Sequence, residues 1–180
     1  MLRRQRLLDV LYQNIDYPLQ LICAPAGYGK TTLLADFAGD ADVPVCWYTV
    51  DELDGDPQSL LRHIFSAILV QFPAFADAGE IAPGRGADAN LDWQVVATRL
   101  VDVIREGIPE YFVLVVEDSH LVISKAAVTA AADFLIQRLP DNCRGIGEAG
   151  KGLGGLDYVH SSYDPLALEG FFERSGRRQG

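Results

Sequence analysis

The sequence is poor in positive charge. Its 180 residues include three lysines, Lys30, Lys125 and Lys151, and the formal net charge is −10. Proteins that hold nucleic acid by its phosphates need clustered lysine and arginine side chains, so the composition argues against direct nucleic-acid binding by this chain. An anionic ligand would have to be held by a local site and not by a broadly basic surface.

Cysteine and long apolar runs are scarce as well. Cys23, Cys46 and Cys143 lie far apart, no C-x-x-C pair exists, and the three histidines are equally scattered, which argues against a zinc site. No run approaches the ~20 apolar residues of a membrane-spanning helix, and the N-terminal segment lacks the apolar stretch of a secretory signal. We therefore expect a cytoplasmic protein with reduced thiols and no membrane partner.

Strand-like and helix-like segments alternate along the first 140 residues. Short apolar runs predict buried strands over 18–24, 43–50 and 111–120. The spacing of apolar residues predicts helices over 2–13, 30–40, 57–72, 91–106 and 125–139. Pro57 is expected in a first helical turn and Gly39 at a helix end, and residues 73–90 read as a loop. The alternation predicts an α/β fold, a parallel sheet flanked by helices.

The stretch "APAGYGKT", residues 24–31, matches the phosphate-binding loop pattern G-x-x-x-x-G-K-S/T except at its first position, where Ala24 replaces glycine. Gly27 and Gly29 allow a turn whose backbone N–H groups point at phosphates, and Lys30 adds an ammonium. Thr31 offers a hydroxyl to Mg²⁺ at the start of a helix. An apolar strand precedes the stretch and a helical pattern follows it, which is the context that the motif requires.

A pair of acidic residues after a predicted strand completes the pattern of a P-loop NTPase. The apolar run "VLVVEDSH" ends in Glu117 and Asp118. One carboxylate there would hold Mg²⁺ through water, and the other would orient or deprotonate an attacking water. The run also reads as an ordinary acidic strand end of an α/β protein, and its pairing with the glycine loop favours the nucleotide site.

A second glycine-rich stretch, "GIGEAGKG" over 145–152, superficially resembles another phosphate loop. Gly152 stands where a metal-binding hydroxyl belongs, and neither a strand nor a helix pattern flanks the stretch, so we do not expect a phosphate site there. Periodicity is lost in this region, and we expect an irregular, poorly ordered tail without a clear strand. Nine of the 17 glycines lie in it, at 145, 147, 150, 152, 154, 155, 170, 176 and 180.

Five stretches together resemble the N-terminal ATPase module of the large ATP-dependent LuxR-type transcriptional regulators, a STAND-class group that includes the maltose-regulon activator. They are "RQRLL", "LICAPAGYGKTTLL", "CWYTVDELDGDP", "VLVVEDSHLV" and "FLIQRLPDNCR", between residues 4 and 144. The resemblance implies a P-loop NTPase that binds ATP or ADP with Mg²⁺. It implies nucleotide binding by Ala24, Gly27, Tyr28, Gly29, Lys30, Thr31, Thr32 and Arg6, metal binding by Thr31, Glu117 and Asp118, and catalysis by Glu117 and Asp118.

Some positions depart from the family pattern or stay open. Glu117 stands where the family usually has aspartate, and its longer side chain is expected to shift the metal or slow hydrolysis. Arg4 and Arg6 match arginines near the base of the nucleotide, but they also read as a solvated helix end. His120 follows the acids as in relatives, where packing or capping is the simpler role.

The resemblance ends at about residue 144. Family members continue with an apolar strand ending in a Ser-Arg sensor, then a lid, a winged helix, a sensor domain and a DNA-binding domain. We see none of these and expect a truncated or frame-shifted gene, with a lead-in over 1–17, a P-loop core over 18–143 and the tail over 144–180. Without the sensor strand, we expect one of two outcomes between the P-loop strand and the acidic strand: a tail segment such as "LDYVH" substitutes poorly, or a gap exposes apolar edges. Hydrolysis should then be weak or absent.

The function expected is a nucleotide switch, a module of a transcriptional regulator without its DNA-binding domain, able to self-associate through the ATPase module. Two alternatives stay open. A small phosphotransferase would need an acceptor pocket and a lid with arginines, and neither is evident in the sequence. A non-catalytic remnant or interaction module would bind no nucleotide.

Overall fold

The computed structural model describes residues 5–24, 27–74, 92–122 and 124–149. Helices and strands alternate along this part of the chain, and a short 3₁₀ helix, Ser119–Leu121, follows the third strand. The elements are α1 (Gln5–Gln13), β1 (Leu19–Cys23), α2 (Lys30–Asp40), β2 (Val45–Thr49), α3 (Pro57–Gln71), α4 (Trp93–Gly107), β3 (Phe112–Glu117), α5 (Ala126–Ile136) and β4 (Cys143–Ala149).

The four strands form one parallel sheet in the order β1-β4-β3-β2. All strands point the same way, so their carboxyl ends meet at one edge, where ligands of open α/β sheets bind. At that edge Ile22 pairs with Glu148, Gly147 with Val116, and Glu117 with Thr49. The α/β class with a parallel sheet, expected from the sequence, is confirmed.

Helices cover both faces of the sheet. On one face, α1 and α2 pack a cluster that includes Leu8, Leu34 and Phe37. On the other face, α3, α4 and α5 pack a larger cluster that includes Leu61 and Ile104. Neighbouring residues of β3 alternate between the two clusters, which explains why this strand reads as a continuous apolar run.

The expectation of a gap between the P-loop strand and the acidic strand is wrong, and "LDYVH", the segment named as the other possibility, lies outside the described residues. Residues Cys143–Ala149 form β4, which lies between β1 and β3 and pairs with both. The ladder begins where the N–H of Phe112 donates to the carbonyl of Asn142 at 2.9 Å and the N–H of Gly145 donates to that of Pro18 at 2.8 Å. The first residues of the predicted tail therefore belong to the sheet, and residues 150–180 lie outside the described residues.

A glycine-rich segment can serve as a central strand here because side chains of β1 occupy the space that its own side chains would take. A Cβ added at Gly145 would lie 3.0 Å from Leu19 Cδ1, and one added at Gly147 would lie 3.1 Å from Leu21 Cδ2. Ile146 is buried among the α1 and α2 cluster. The backbone ladder, which any residue except proline can make, supplies the remaining contacts.

Two smaller expectations are settled by the helices. Pro57 does stand in the first turn of α3, behind the cap residue Asp56. Gly39, expected at a helix end, lies inside α2, which runs on to Asp40 and ends where the N–H of Ala41 donates to the carbonyl of Phe37. Most of the loop expected over 73–90 lies outside the described residues. None of the described helices has the length and apolar character needed to cross a membrane.

Candidate functional site

The turn between β1 and α2 has a backbone that only glycine adopts easily. Gly27 and Gly29 have φ angles of 82° and 75°, in the left-handed region. A Cβ at Gly27 would meet no atom within 4 Å, so the requirement there is conformational and not one of space. Gly29 is also the cap residue of α2, and as a glycine it supplies no side-chain acceptor to the first N–H groups of that helix.

Lys30 and Thr31 form the first turn of α2 and face the end of the sheet. Lys30 Nζ donates to the carbonyl of Ala24 at 3.2 Å, and its side chain is only 14% exposed. Lys30 Nζ also lies 3.9 Å from Glu148 Oε2, and Thr31 Oγ1 donates to Glu148 Oε1 at 3.4 Å. The ammonium is thus held over the glycine turn, beside a hydroxyl suited to a metal ion.

Glu117, at the end of β3, is buried and directed towards β2. Its Oε2 accepts from Trp47 Nε1 at 3.2 Å and from Thr49 Oγ1 at 3.2 Å. Its carbonyl accepts from the N–H of Val50 at 3.0 Å. The side chain expected to serve the metal ion therefore links β3 to β2 in this structure.

Asp118 begins the turn after β3 in a left-handed conformation, with φ 56° and ψ 26°. Asp is one of the few residues other than glycine that tolerate this region, which is often found at functional sites. Its Oδ1 lies 3.7 Å from His120 Nδ1, and both side chains are partly exposed. The hydroxyl of the next residue, Ser119, donates a hydrogen bond to the carbonyl of Glu148 and so connects this turn to β4.

Glu148 is the site residue that sequence reasoning missed. It stands near the end of β4, is 3% exposed, and contacts both Lys30 and Thr31. Burial raises the pKa of its carboxyl group, the nearby Glu117 and Asp118 carboxylates raise it further, and Lys30 and Thr31 only partly counter this. No sequence signal marked Glu148 because the strand that carries it was itself not predicted.

The remaining predicted residues are placed less centrally. Thr32 is half-buried in the first turn of α2, and Tyr28 in the glycine turn is 53% exposed. Arg6 is exposed on α1, the helix that buries its leucines against α2, and Arg4 lies outside the described residues. The glycines of the stretch 145–152 that fall in the described residues belong to β4, not to a phosphate loop.

The described residues contain no cluster of metal-binding side chains of the usual kind. In that part of the chain, no three His, Cys, Asp or Glu side chains are grouped so that they could bind a metal ion. A magnesium ion at this edge would therefore need oxygen ligands from a nucleotide in addition to Thr31 and a carboxylate.

Comparison with known sequences identifies relatives among bacterial transcriptional regulators. No family model matches the chain. The HTH-type transcriptional regulator MalT of Yersinia enterocolitica is 33% identical over 139 residues, which cover 77% of this chain. MalT of Yersinia pestis is 32% identical over the same length. The chain spans about 15% of the length of these regulators.

Comparison with solved structures supports the fold alone, since the sequence identities are low. A Walker-type ATPase of Pyrococcus abyssi matches 83% of this chain and 45% of its own, with a TM-score of 0.55 at 18% identity. The ORC1 protein of Aeropyrum pernix, solved in complex with DNA, matches 98% of this chain and 50% of its own, with a TM-score of 0.54 at 16% identity. The parallel sheet and the glycine turn with Lys30 and Thr31 accord with the fold of the matched ATPase structures. Over these 139 residues the chain is homologous to the MalT transcriptional regulators, and its described part has the α/β fold of P-loop ATPases.

Proposed function

We propose that the chain is a nucleotide-binding switch module of a LuxR-type transcriptional regulator, binding ATP or ADP with Mg²⁺. The observation that carries the proposal is the start of α2. There an uncapped helix end, two left-handed glycines and the positioned Lys30 ammonium converge at the carboxyl edge of a parallel sheet. This combination suits a polyphosphate because it offers N–H donors, a positive dipole end and a full positive charge.

The residues present fit a magnesium nucleotide. Gly27, Gly29 and Lys30 would hold the phosphates, with Ala24, Tyr28, Thr32 and Arg6 around them, and Thr31 would offer its hydroxyl to Mg²⁺. When bound, Mg²⁺ would neutralise phosphate charge and fix the phosphate oxygens. Catalytic roles for Glu117 and Asp118 are part of the proposal. Because Glu117 is engaged by Trp47 and Thr49, we expect at most slow hydrolysis.

The switch would act through the rest of the regulator. ATP and ADP would favour different arrangements of this module relative to other domains, and self-association of ATPase modules would follow the ATP state. We expect DNA contacts to be made elsewhere in such a regulator, because this chain carries a net charge of −10. A cytoplasmic location accords with that role.

The proposal is tested by thermal melts of the 180-residue chain with and without Mg-ATP, repeated for Lys30→Ala. A ligand at 100 times its dissociation constant should stabilise the fold by about 2.7 kcal/mol. The melting temperature of the unchanged chain should rise with Mg-ATP, and that of Lys30→Ala should not. A cooperative melt that ignores both ATP and ADP would contradict the proposal.

A further inference from the structure

Two buried acids stand side by side at the carboxyl edge of the sheet. Glu117 follows Val116, which pairs with Gly147, and Glu148 follows Gly147 on the neighbouring strand. Because side chains alternate along a strand, both acids lie on the sheet face that packs against α1 and α2, like Val115 and Ile146 two residues before them. Both acids therefore lie on the face that carries the start of α2, and Glu148 stands one strand closer to β1, the strand that leads into α2.

Their hydrogen bonds nevertheless run in different directions. Glu117 accepts from Trp47 and Thr49 of β2, the edge strand farthest from β1. Glu148 accepts from Thr31 and lies beside Lys30, both in the first turn of α2. In this structure, the carboxylate beside the metal-binding hydroxyl is thus that of Glu148.

The distance between Thr31 and Glu148 suits one shared ion. Mg²⁺ binds six oxygens octahedrally at about 2.1 Å, which places adjacent ligand oxygens about 3 Å apart. Thr31 Oγ1 and Glu148 Oε1 are 3.4 Å apart. A shift of a few tenths of an ångström would bring both oxygens to one ion, whereas Glu117 would first have to give up its two donors on β2.

We propose that Glu148 supplies the carboxylate of the magnesium site, directly or through a metal-bound water, and that Glu117 instead fixes β2 to β3. This inference rests on the proposed nucleotide binding, and it moves the metal-binding role from the acidic strand to β4. A carboxylate at this place completes an oxygen ligand set with Thr31 and the nucleotide phosphates, which the described residues do not provide alone.

A simpler role for Glu148 is that of a counter-ion to Lys30, and the two roles differ in what they predict. A counter-ion competes with phosphate for the ammonium, so its removal strengthens nucleotide binding equally with and without Mg²⁺. A metal ligand matters only when the metal is present. The two oxygens of Glu148 have different neighbours: Oε1 lies 3.4 Å from the Thr31 hydroxyl and Oε2 lies 3.9 Å from the Lys30 ammonium. The oxygen beside Thr31 can therefore bind a metal ion while the other stays beside Lys30.

The experiment compares Glu148→Gln with the matched control Glu117→Gln, using a fluorescent ATP analogue titrated into the full chain in EDTA and in Mg²⁺. We expect Glu148→Gln to keep or strengthen binding in EDTA and to reduce the Mg²⁺ enhancement of affinity by about tenfold or more. Glu117→Gln should keep the Mg²⁺ enhancement of affinity, because the catalytic role proposed for Glu117 concerns hydrolysis and not this binding measurement. Electron paramagnetic resonance of Mn²⁺ with ATP gives a second readout, because Glu148→Gln should weaken Mn²⁺ binding by a similar factor.

The outcomes separate this inference from the proposed function. An unchanged Mg²⁺ enhancement in Glu148→Gln, an equal gain in both buffers, or an equal loss in Glu117→Gln would each overturn the inference while leaving nucleotide binding intact. No binding by the unchanged chain in either buffer would overturn the proposed function, and the inference with it. If circular dichroism shows that Glu148→Gln does not fold, Glu148→Ala replaces it, and an undiminished Mn²⁺ affinity there would overturn the inference.

Discussion

The helices α2 and α3 both follow a strand at the same edge of the sheet, but they begin in opposite ways. At α3, the side chain of Asp56 accepts from the N–H of Ser59 at 3.0 Å and from the Ser59 hydroxyl at 2.7 Å, and Pro57 fills the first helical position. At α2, the cap residue is Gly29, which is left-handed and offers no side-chain acceptor. One helix start is satisfied by its own sequence, and the other is the start at which we propose that a nucleotide binds.

The first N–H groups of a helix can be satisfied by a side-chain cap, which stabilises the fold, or they can be available to a ligand. A side-chain cap stabilises a helix by about 1 kcal/mol, and α2 forgoes that contribution. Its stability comes from tertiary packing, since Leu33, Leu34 and Phe37 are almost fully buried against the sheet. A helix that lacks a side-chain cap therefore depends more strongly on the burial of its own apolar side chains.

The largest effect on nucleotide binding is expected from placing an acidic residue at the cap position of α2, as Asp56 stands at the cap position of α3. Gly29→Asp adds a negative charge at the place proposed for the phosphates, while aspartate tolerates the left-handed backbone. At an ATP concentration 100 times the dissociation constant of the unchanged chain, stabilisation should fall from about 2.7 to below about 1.4 kcal/mol, a loss of at least tenfold in affinity. Thermal melts measure it. Gly29→Asn is the neutral control of the same size, and an equal loss in both variants would contradict the electrostatic account.

A change before α3 should affect the stability of the fold and leave nucleotide binding unchanged. Asp54 is fully buried, accepts from the N–H of Asp51 at 2.7 Å, and contacts His63 Nδ1. Asp54→Asn should lower the free energy of unfolding by about 1–3 kcal/mol at pH 7, because hydrogen bonds to a charged acceptor are lost. Urea unfolding measures this value, and the Mg-ATP-induced stabilisation should remain if the two helix starts are independent.

The same substitution has a defined pH dependence. Burial raises the pKa of Asp54, but hydrogen bonding to its ionised form and the nearby His63 outweigh burial, so the pKa lies below its usual value. A lowered pKa in the folded state means that the carboxylate stabilises the fold above the unfolded pKa of about 3.9, and this contribution is lost as the pH falls through the folded pKa. The gap between the unchanged chain and Asp54→Asn should therefore shrink below about pH 4. A constant gap down to pH 2 would contradict this.

The smallest effect is expected from removing the cap of α3 itself. Asp56→Ala should lower the free energy of unfolding by about 1 kcal/mol, and Asp56→Ser, which can still cap, should lower it less. Neither variant should change the stabilisation by Mg-ATP, as judged by the same melts. If Asp56→Ala reduced the ATP effect as strongly as Gly29→Asp, the two helix starts would not have the separate roles assigned to them.

Sequence reasoning predicted most of the fold because most of its elements bury side chains in a regular pattern. The apolar spacing of α3 and α4, the continuous run of β3 and the glycine turn with Lys30 are local signals, and the structure confirms each element. Such signals arise where one stretch of chain carries enough information about its own environment. Roles for the residues around the turn stay predictions until nucleotide binding is measured.

Sequence reasoning failed at β4, whose residues carry no strand pattern of their own. Gly145 and Gly147 become strand residues because Leu19 and Leu21 of β1 fill the space beside them. Contacts of this kind join segments more than 120 residues apart and leave no trace in either segment alone. The failure extended to Glu148, which reaches Thr31 only because β4 brings it there.

The amino-acid sequence by itself determined the P-loop, the acidic end of β3, the alternation of strands and helices, and the cap of α3. Each depends on the conformational or hydrophobic preferences of neighbouring residues. Only the tertiary structure decided which strand lies at the centre of the sheet and which acid faces the start of α2. Those choices depend on side chains of distant segments that pack together, since a carboxylate takes its role from the donors that surround it once it is buried.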